Sequence, residues 1–265
     1  MWRVLYPIGL HFLAAFLVTQ AGLVWIVQVM GLPPEMYIHY VMELTGITAL
    51  LVMAPAILLY RRDQKQRYAS GLIFPGEKSR KPWEMAVLLV MGAGLAMYAN
   101  LLLGMLQSFF APSDYFETMN AMTDGKSVLL CLFWIGIVCP IAEEMIFRWL
   151  IFLRLRDYLR FPAACVISGV LFGVYHGDLL QGLYAGILGM VFAWLMELTG
   201  SRLSCVLLHI GANVWSILFS TYGHVWLENG DGGFVLLMLG VLLFSLLMGI
   251  PYFQKKYGRE KIRRI

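Results

Sequence analysis

The sequence predicts an all-α, polytopic transmembrane helix bundle of about eight spans. Three observations carry that prediction. Of 265 residues, 60% are hydrophobic and only 14% charged, whereas a soluble domain carries about 25% charged residues and under half apolar ones. The apolar residues fall in long unbroken runs, not in the alternating pattern of a barrel strand. Those runs reach the ~20 residues needed to cross a hydrocarbon core, where a helix satisfies its backbone within one segment.

The spans are expected at 5–30, 38–60, 83–108, 127–153, 161–179, 181–199, 203–221 and 233–253. The first follows Arg3 and is too long for the apolar region of a cleavable signal, so it reads as a retained span. The longest polar stretch, Arg61–Lys81, contains the breakers Gly71, Pro75 and Gly76 and is expected to be a loop. A second loop, Ala111–Lys126, opens with Pro112, Ser113 and Asp114. Glu228–Gly233 is a turn cluster before the last span. A single integral membrane domain over residues 1–265 is expected. Cys131, Cys139, Cys165 and Cys205 lie inside or at the ends of apolar segments without a CxxC pair, which suits reduced thiols in packing.

Charge placement predicts orientation. With both termini cytoplasmic, every basic residue except Lys126 and Arg148 falls on the inner side or at its edge. The acidic residues Glu35, Asp114, Glu117, Asp124, Asp178, Glu228 and Asp231 then fall outside. An even number of spans with this bias satisfies the positive-inside rule.

The exceptions inside the spans carry the chemistry, because an ionisable group at membrane depth costs at least ~2.5–3.5 kcal/mol. Segment four contains Pro140, Glu143, Glu144 and Arg148. Glu144 and Arg148 are four residues apart, share a face and can pair. Glu143 lies about 100° round the helix and can address another partner. Pro140 leaves a backbone carbonyl without its usual donor. Segment five carries Phe172 and His176 on one face, and segment seven carries His209 and Asn213 on one face. Taken singly, these are a helix-locking ion pair, a packing histidine and interhelical glue. His11, His39 and His224 have no polar partner on their own faces and read as packing residues. Together the three segments offer a carboxylate base, two imidazoles and an amide donor. That set suits water activation with oxyanion stabilisation, and equally a mixed carboxylate–imidazole metal site.

The three motifs in this order, Glu-Glu-x-x-x-Arg, Phe-x-x-x-His and His-x-x-x-Asn, resemble the CPBP family of intramembrane proteases. That family includes the type II CAAX prenyl endopeptidases and the Abi-type proteins linked to bacteriocin immunity. The resemblance runs over residues 127–219 and implies a catalytic core there. It implies that Glu143 and His176 activate water and that His209 and Asn213 stabilise the oxyanion. Glu144 and Arg148 would support the site, and Phe172 would wall the pocket. On cofactor it implies two readings: a divalent metal such as zinc held by Glu143, His176 and His209, or a metal-free glutamate mechanism. No HExxH decides between them.

The partners implied are the lipid bilayer and a membrane-associated protein or peptide substrate, with no nucleic acid. The short chain, without a large additional domain, suits a bacterial cell membrane. Two other classes compete with a peptidase. One is a non-enzymatic bacteriocin self-immunity or scaffold module that keeps the motifs for stability. The other is a proton- or ion-coupled transporter relaying through Glu143 and His176, which would usually show repeated halves; the sequence shows none. One tension concerns depth. His176 lies near the far end of segment five and His209 near the start of segment seven, a difference of over ~10 Å unless helices tilt or boundaries shift. Gly169, Gly173 and Gly177 offer close packing or a break there.

Overall fold

The computed structural model describes residues 2–70, 81–106, 121–228 and 232–257. The breakers Gly71, Pro75 and Gly76, and the Pro112–Asp114 loop opening, lie outside the described residues, as do positions 229–231 of the turn cluster. Among the described residues the regular structure is helical throughout. Trp2–Val29 forms α1, Pro34–Ala69 α2, Pro82–Leu106 α3 and Val128–Arg156 α4. Phe161–Tyr175 forms α5, Leu179–Thr199 α6, Arg202–Glu228 α7 and Gly232–Tyr257 α8. All but α5 are long and apolar enough to cross a membrane; α5 is a shorter apolar helix of 15 residues. The protein is an all-α, multi-pass integral membrane protein. Outward rows such as Phe16, Leu17 and Leu58, or Leu236, Phe244 and Leu247, are exposed, as lipid contact requires.

One expectation is corrected at α2. The polar stretch after Tyr60 is not a loop from Arg61 onward, because the helix continues to Ala69. The reason lies in the partners of its charges. Asp63 and Arg67 are four residues apart, on one face, and both are buried. That face meets the end of α4. Asp63 takes Arg154 at 2.5 Å and Arg3 at 3.2 Å, and Arg67 donates to both oxygens of Asp157 at 2.8 and 3.0 Å. Arg154 also donates to the Tyr6 hydroxyl and to the Arg3 carbonyl. A polar tie thus joins α1, α2 and α4 at one end of the bundle. Glu84 makes a second tie, accepting from Lys256, Tyr252 and Tyr257 at 2.6–3.0 Å and so joining α3 to α8.

Glycines set how closely the helices around the motifs approach. A Cβ on Gly173 would stand 2.4 Å from the Gly182 carbonyl oxygen, and one on Gly169 would stand 2.9 Å from that of Gly186. The α5–α6 hairpin therefore packs backbone against backbone, as small-xxx-small pairs allow in membranes. It turns at Gly177, whose φ of +77° suits glycine. A Cβ on Gly92 would stand 2.0 Å from the Leu208 carbonyl, and one on Gly211 2.1 Å from that of Leu89. These contacts press α3 against α7 on either side of His209.

Candidate active site

The acidic pair sits on a helix that widens into π register twice. Residues Leu132–Val138 and Met145–Phe152 of α4 are π-helical, and the turn Cys139–Glu144 between them is α-helical. Wider turns of this kind recur at functional sites because they re-aim side chains. The first has a local cause. The Cys139 N–H bonds the Trp134 carbonyl, five residues back. The next donor in that register would be residue 140, which is proline and has no N–H.

Glu144 is completely buried and Glu143 keeps 19% of its side chain exposed, so the two adjacent carboxylates face different surroundings. Glu144 meets Arg148 at 3.0 Å, the i, i+4 pair expected from the sequence. The contact is ionic and off-line, with no guanidinium nitrogen in good hydrogen-bond geometry. The guanidinium lies over the Phe172 ring at 4.2 Å and near Phe192 at 5.4 Å. Gly189 makes room for it, since a Cβ there would stand 2.4 Å from an Arg148 nitrogen.

His209 of α7 reaches both glutamates. Its Nδ1 lies 2.8 Å from Glu144 Oε1, and its Nε2 lies 3.7 Å from Glu143 Oε2. A buried carboxylate accepts, so Nδ1 is the donor and Nε2 is the nitrogen turned toward Glu143. The imidazole packs against Phe192 at 4.9 Å and edge-on to Phe172 at 5.8 Å.

His176 caps the end of α5, where its Nδ1 donates to the Phe172 carbonyl at 2.8 Å. That bond leaves Nε2 as the basic nitrogen. Its ring is edge-on to Phe172 at 4.7 Å. Phe172 therefore touches His176, His209 and Arg148 together. The depth tension resolves through this ring: the glycine hairpin and the early end of α5 bring both histidines onto one phenylalanine. No direct hydrogen bond joins His176 to Glu143.

Asn213 stands one turn beyond His209. Its amide Nδ2 donates to the Ile135 carbonyl at 3.0 Å rather than to a side chain of the motifs. Sequence reasoning missed His11 and Tyr175. His11 of α1 is buried, and its Nε2 lies 2.5 Å from the Tyr175 hydroxyl. Tyr175 packs against Phe147 and precedes His176. The signal was weak because His11 and Tyr175 are 164 residues apart in the chain.

A zinc site would need about three protein ligands converging on one point. Among the described residues, no three His, Cys, Asp or Glu side chains gather in that way. Glu143 and His209 approach each other, but Glu143, His176 and His209 do not form a three-ligand set as placed. The four cysteines are free and buried.

Residues 125–215 match the family described as Type II CAAX prenyl endopeptidase Rce1-like. Over that stretch the sequence is similar to CAAX-protease membrane peptidases. Every motif residue, from Glu143 to Asn213, falls inside the Rce1-like region. A curated relative, the putative membrane peptidase YdiL of Bacillus subtilis (strain 168), is 30% identical over 131 residues. That match covers 49% of this chain and 54% of YdiL, so the chain spans about half the length of the relative it matches. No solved structure matches the chain.

Proposed function

We propose that the protein is an intramembrane endopeptidase that hydrolyses a peptide bond in a membrane-associated protein or peptide. The observation that carries this reading is His209, which addresses Glu144 with one nitrogen and Glu143 with the other. One carboxylate is thereby anchored with Arg148, while its neighbour is left partly exposed. A merely structural ion pair would not need that neighbour.

The steps follow from the residues. Glu143, assisted by His176 Nε2, takes a proton from water as the oxygen attacks the scissile carbonyl. A tetrahedral oxyanion forms. The second N–H of Asn213 is available to donate to it, and His209 Nε2–H does the same where the ring enters the step as an imidazolium between the two carboxylates and keeps both protons throughout. Collapse breaks the C–N bond, and Glu143 returns the proton to the departing amine. Glu144, Arg148 and Phe172 hold this geometry. No step is routed through a metal, because the residues as placed do not form its ligand set. The catalytic core spans residues 127–219, and the likeness to CAAX proteases makes a C-terminal lipopeptide the first substrate class to try.

We also propose eight crossings with both termini cytoplasmic in a bacterial cell membrane. The 15 residues of α5 span ~22 Å, short of a ~30 Å core, so it would cross as a thin hairpin with α6. Reporter fusions at either terminus test this; an external terminus would overturn it.

The activity is tested with the full chain in proteoliposomes, using an internally quenched farnesylated CAAX peptide as probe. Cleavage by the wild type and its loss in Glu143→Ala are expected. Undiminished cleavage by Glu143→Ala would refute the assignment. If Glu143→Ala lowers thermal stability while cellular phenotype tracks abundance alone, the immunity or scaffold reading replaces it.

A further inference from the structure

Pro140 sits three residues before Glu143, and its missing N–H falls at a defined place. The π-helical stretch ahead of it pairs each carbonyl with the N–H five residues on, as the Cys139-to-Trp134 bond shows. In that register the Ile135 carbonyl should receive residue 140, and proline has nothing to give. The neighbouring donor, Cys139, is already committed to Trp134. The vacancy is filled from another helix: Asn213 Nδ2 donates to the Ile135 oxygen at 3.0 Å. Four residues earlier on the same face of α7, His209 meets Glu144 and Glu143. One face of α7 therefore grips α4 twice, once on its backbone before the proline and once on its carboxylates after it.

We propose that Asn213 is a positioning residue that completes the α4 backbone at the Pro140 break and so fixes the direction in which Glu143 is presented. Its effect on hydrolysis runs through Glu143. The inference rests on Glu143 being the base. It differs from a simple oxyanion role in one respect: the need for Asn213 should vanish when residue 140 can donate.

The test is a double-mutant cycle of Asn213→Ala and Pro140→Ala in the full-length protein. It is read as Tm in detergent and as kcat on the farnesylated quenched peptide in proteoliposomes. With Pro140 present, Asn213→Ala should lower kcat roughly tenfold, the weight of about one hydrogen bond, and lower Tm. In the Pro140→Ala background residue 140 gains an N–H that can reach Ile135. Both losses should then shrink to about twofold or less, which is a measurable coupling. An Asn213→Ala variant that folds only in the Pro140→Ala background would be the extreme form of the expected result. An equal kcat loss in both backgrounds would overturn the inference and place the amide on the substrate. Additive Tm changes would overturn it as well. If Glu143→Gln keeps the wild-type rate, the base assignment fails separately, and the Tm cycle still decides whether Asn213 completes the backbone.

Discussion

His209 Nδ1 lies 2.8 Å from Glu144 Oε1, and Glu144 in turn lies 3.0 Å from Arg148. Glu144 and Arg148 are wholly buried, and His209 almost so. Removing one member leaves an uncompensated charge in a low-dielectric interior. Glu144→Gln is expected to destabilise the protein by about 3–5 kcal/mol, read as a fall in Tm and in detergent half-life. Arg148→Lys should not restore stability, because an ammonium cannot lie flat on Phe172 at 4.2 Å as the guanidinium does. A stable Glu144→Gln variant would show that the trio is not a structural anchor.

The α5–α6 hairpin makes a steric prediction. A methyl group on Gly173 would stand 2.4 Å from a backbone oxygen that cannot rotate away. Gly173→Ala should cost about 1–3 kcal/mol through overpacking. Because Phe172 and His176 flank Gly173, kcat should fall with little change in KM. The Gly9→Ala control meets nothing within 4 Å and should be silent in both measurements.

His11 and Tyr175 form a pair that a stability cycle can isolate. Among the described residues, the Tyr175 hydroxyl is the one hydrogen-bond partner of a buried imidazole whose Nδ1 already lacks one, and Tyr175→Phe removes it. An expected cost of about 1–3 kcal/mol follows for leaving that group unsatisfied. Adding His11→Leu should recover much of it, since both polar groups are then gone. Equal Tm losses with and without His11 would show that the hydroxyl works elsewhere.

The helices were legible because each apolar run has to be a helix in lipid. The expected span 181–199 and the observed Leu179–Thr199 differ by two residues at one end. The Glu144–Arg148 pair was legible because it depends only on spacing within one helix. What spacing could not reveal depends on distant partners. α2 stays helical past Tyr60 because Asp63 and Arg67 find Arg154 and Asp157 about 90 residues away. His11 read as isolated because its partner is on α5. Pro140 announced a freed carbonyl, but only the fold names Asn213 as its new donor. The π register of α4 has no local sequence mark beyond that proline. The contact of His209 with both glutamates joins α7 to α4, and spacing within α7 alone could not reveal it.

The polar tie at the end of α2 gives a prediction that separates stability from chemistry. Arg67 is buried and donates to both oxygens of Asp157. Asp157→Asn should lower Tm, with a loss of about 1.5–3 kcal/mol for a charge-assisted pair. The pH dependence of turnover in the folded fraction should not move. A shifted pH profile would link this end of the bundle to the reacting groups.

The central claim is that Glu143 is the base. The most direct measurement is substrate trapping in cell membranes carrying the wild type or Glu143→Gln at matched protein levels, with mass spectrometry of new peptide termini. The expected result is that termini generated by the wild type disappear with Glu143→Gln, while intact substrate accumulates on the variant. The same termini appearing at the same rate with Glu143→Gln would contradict the account.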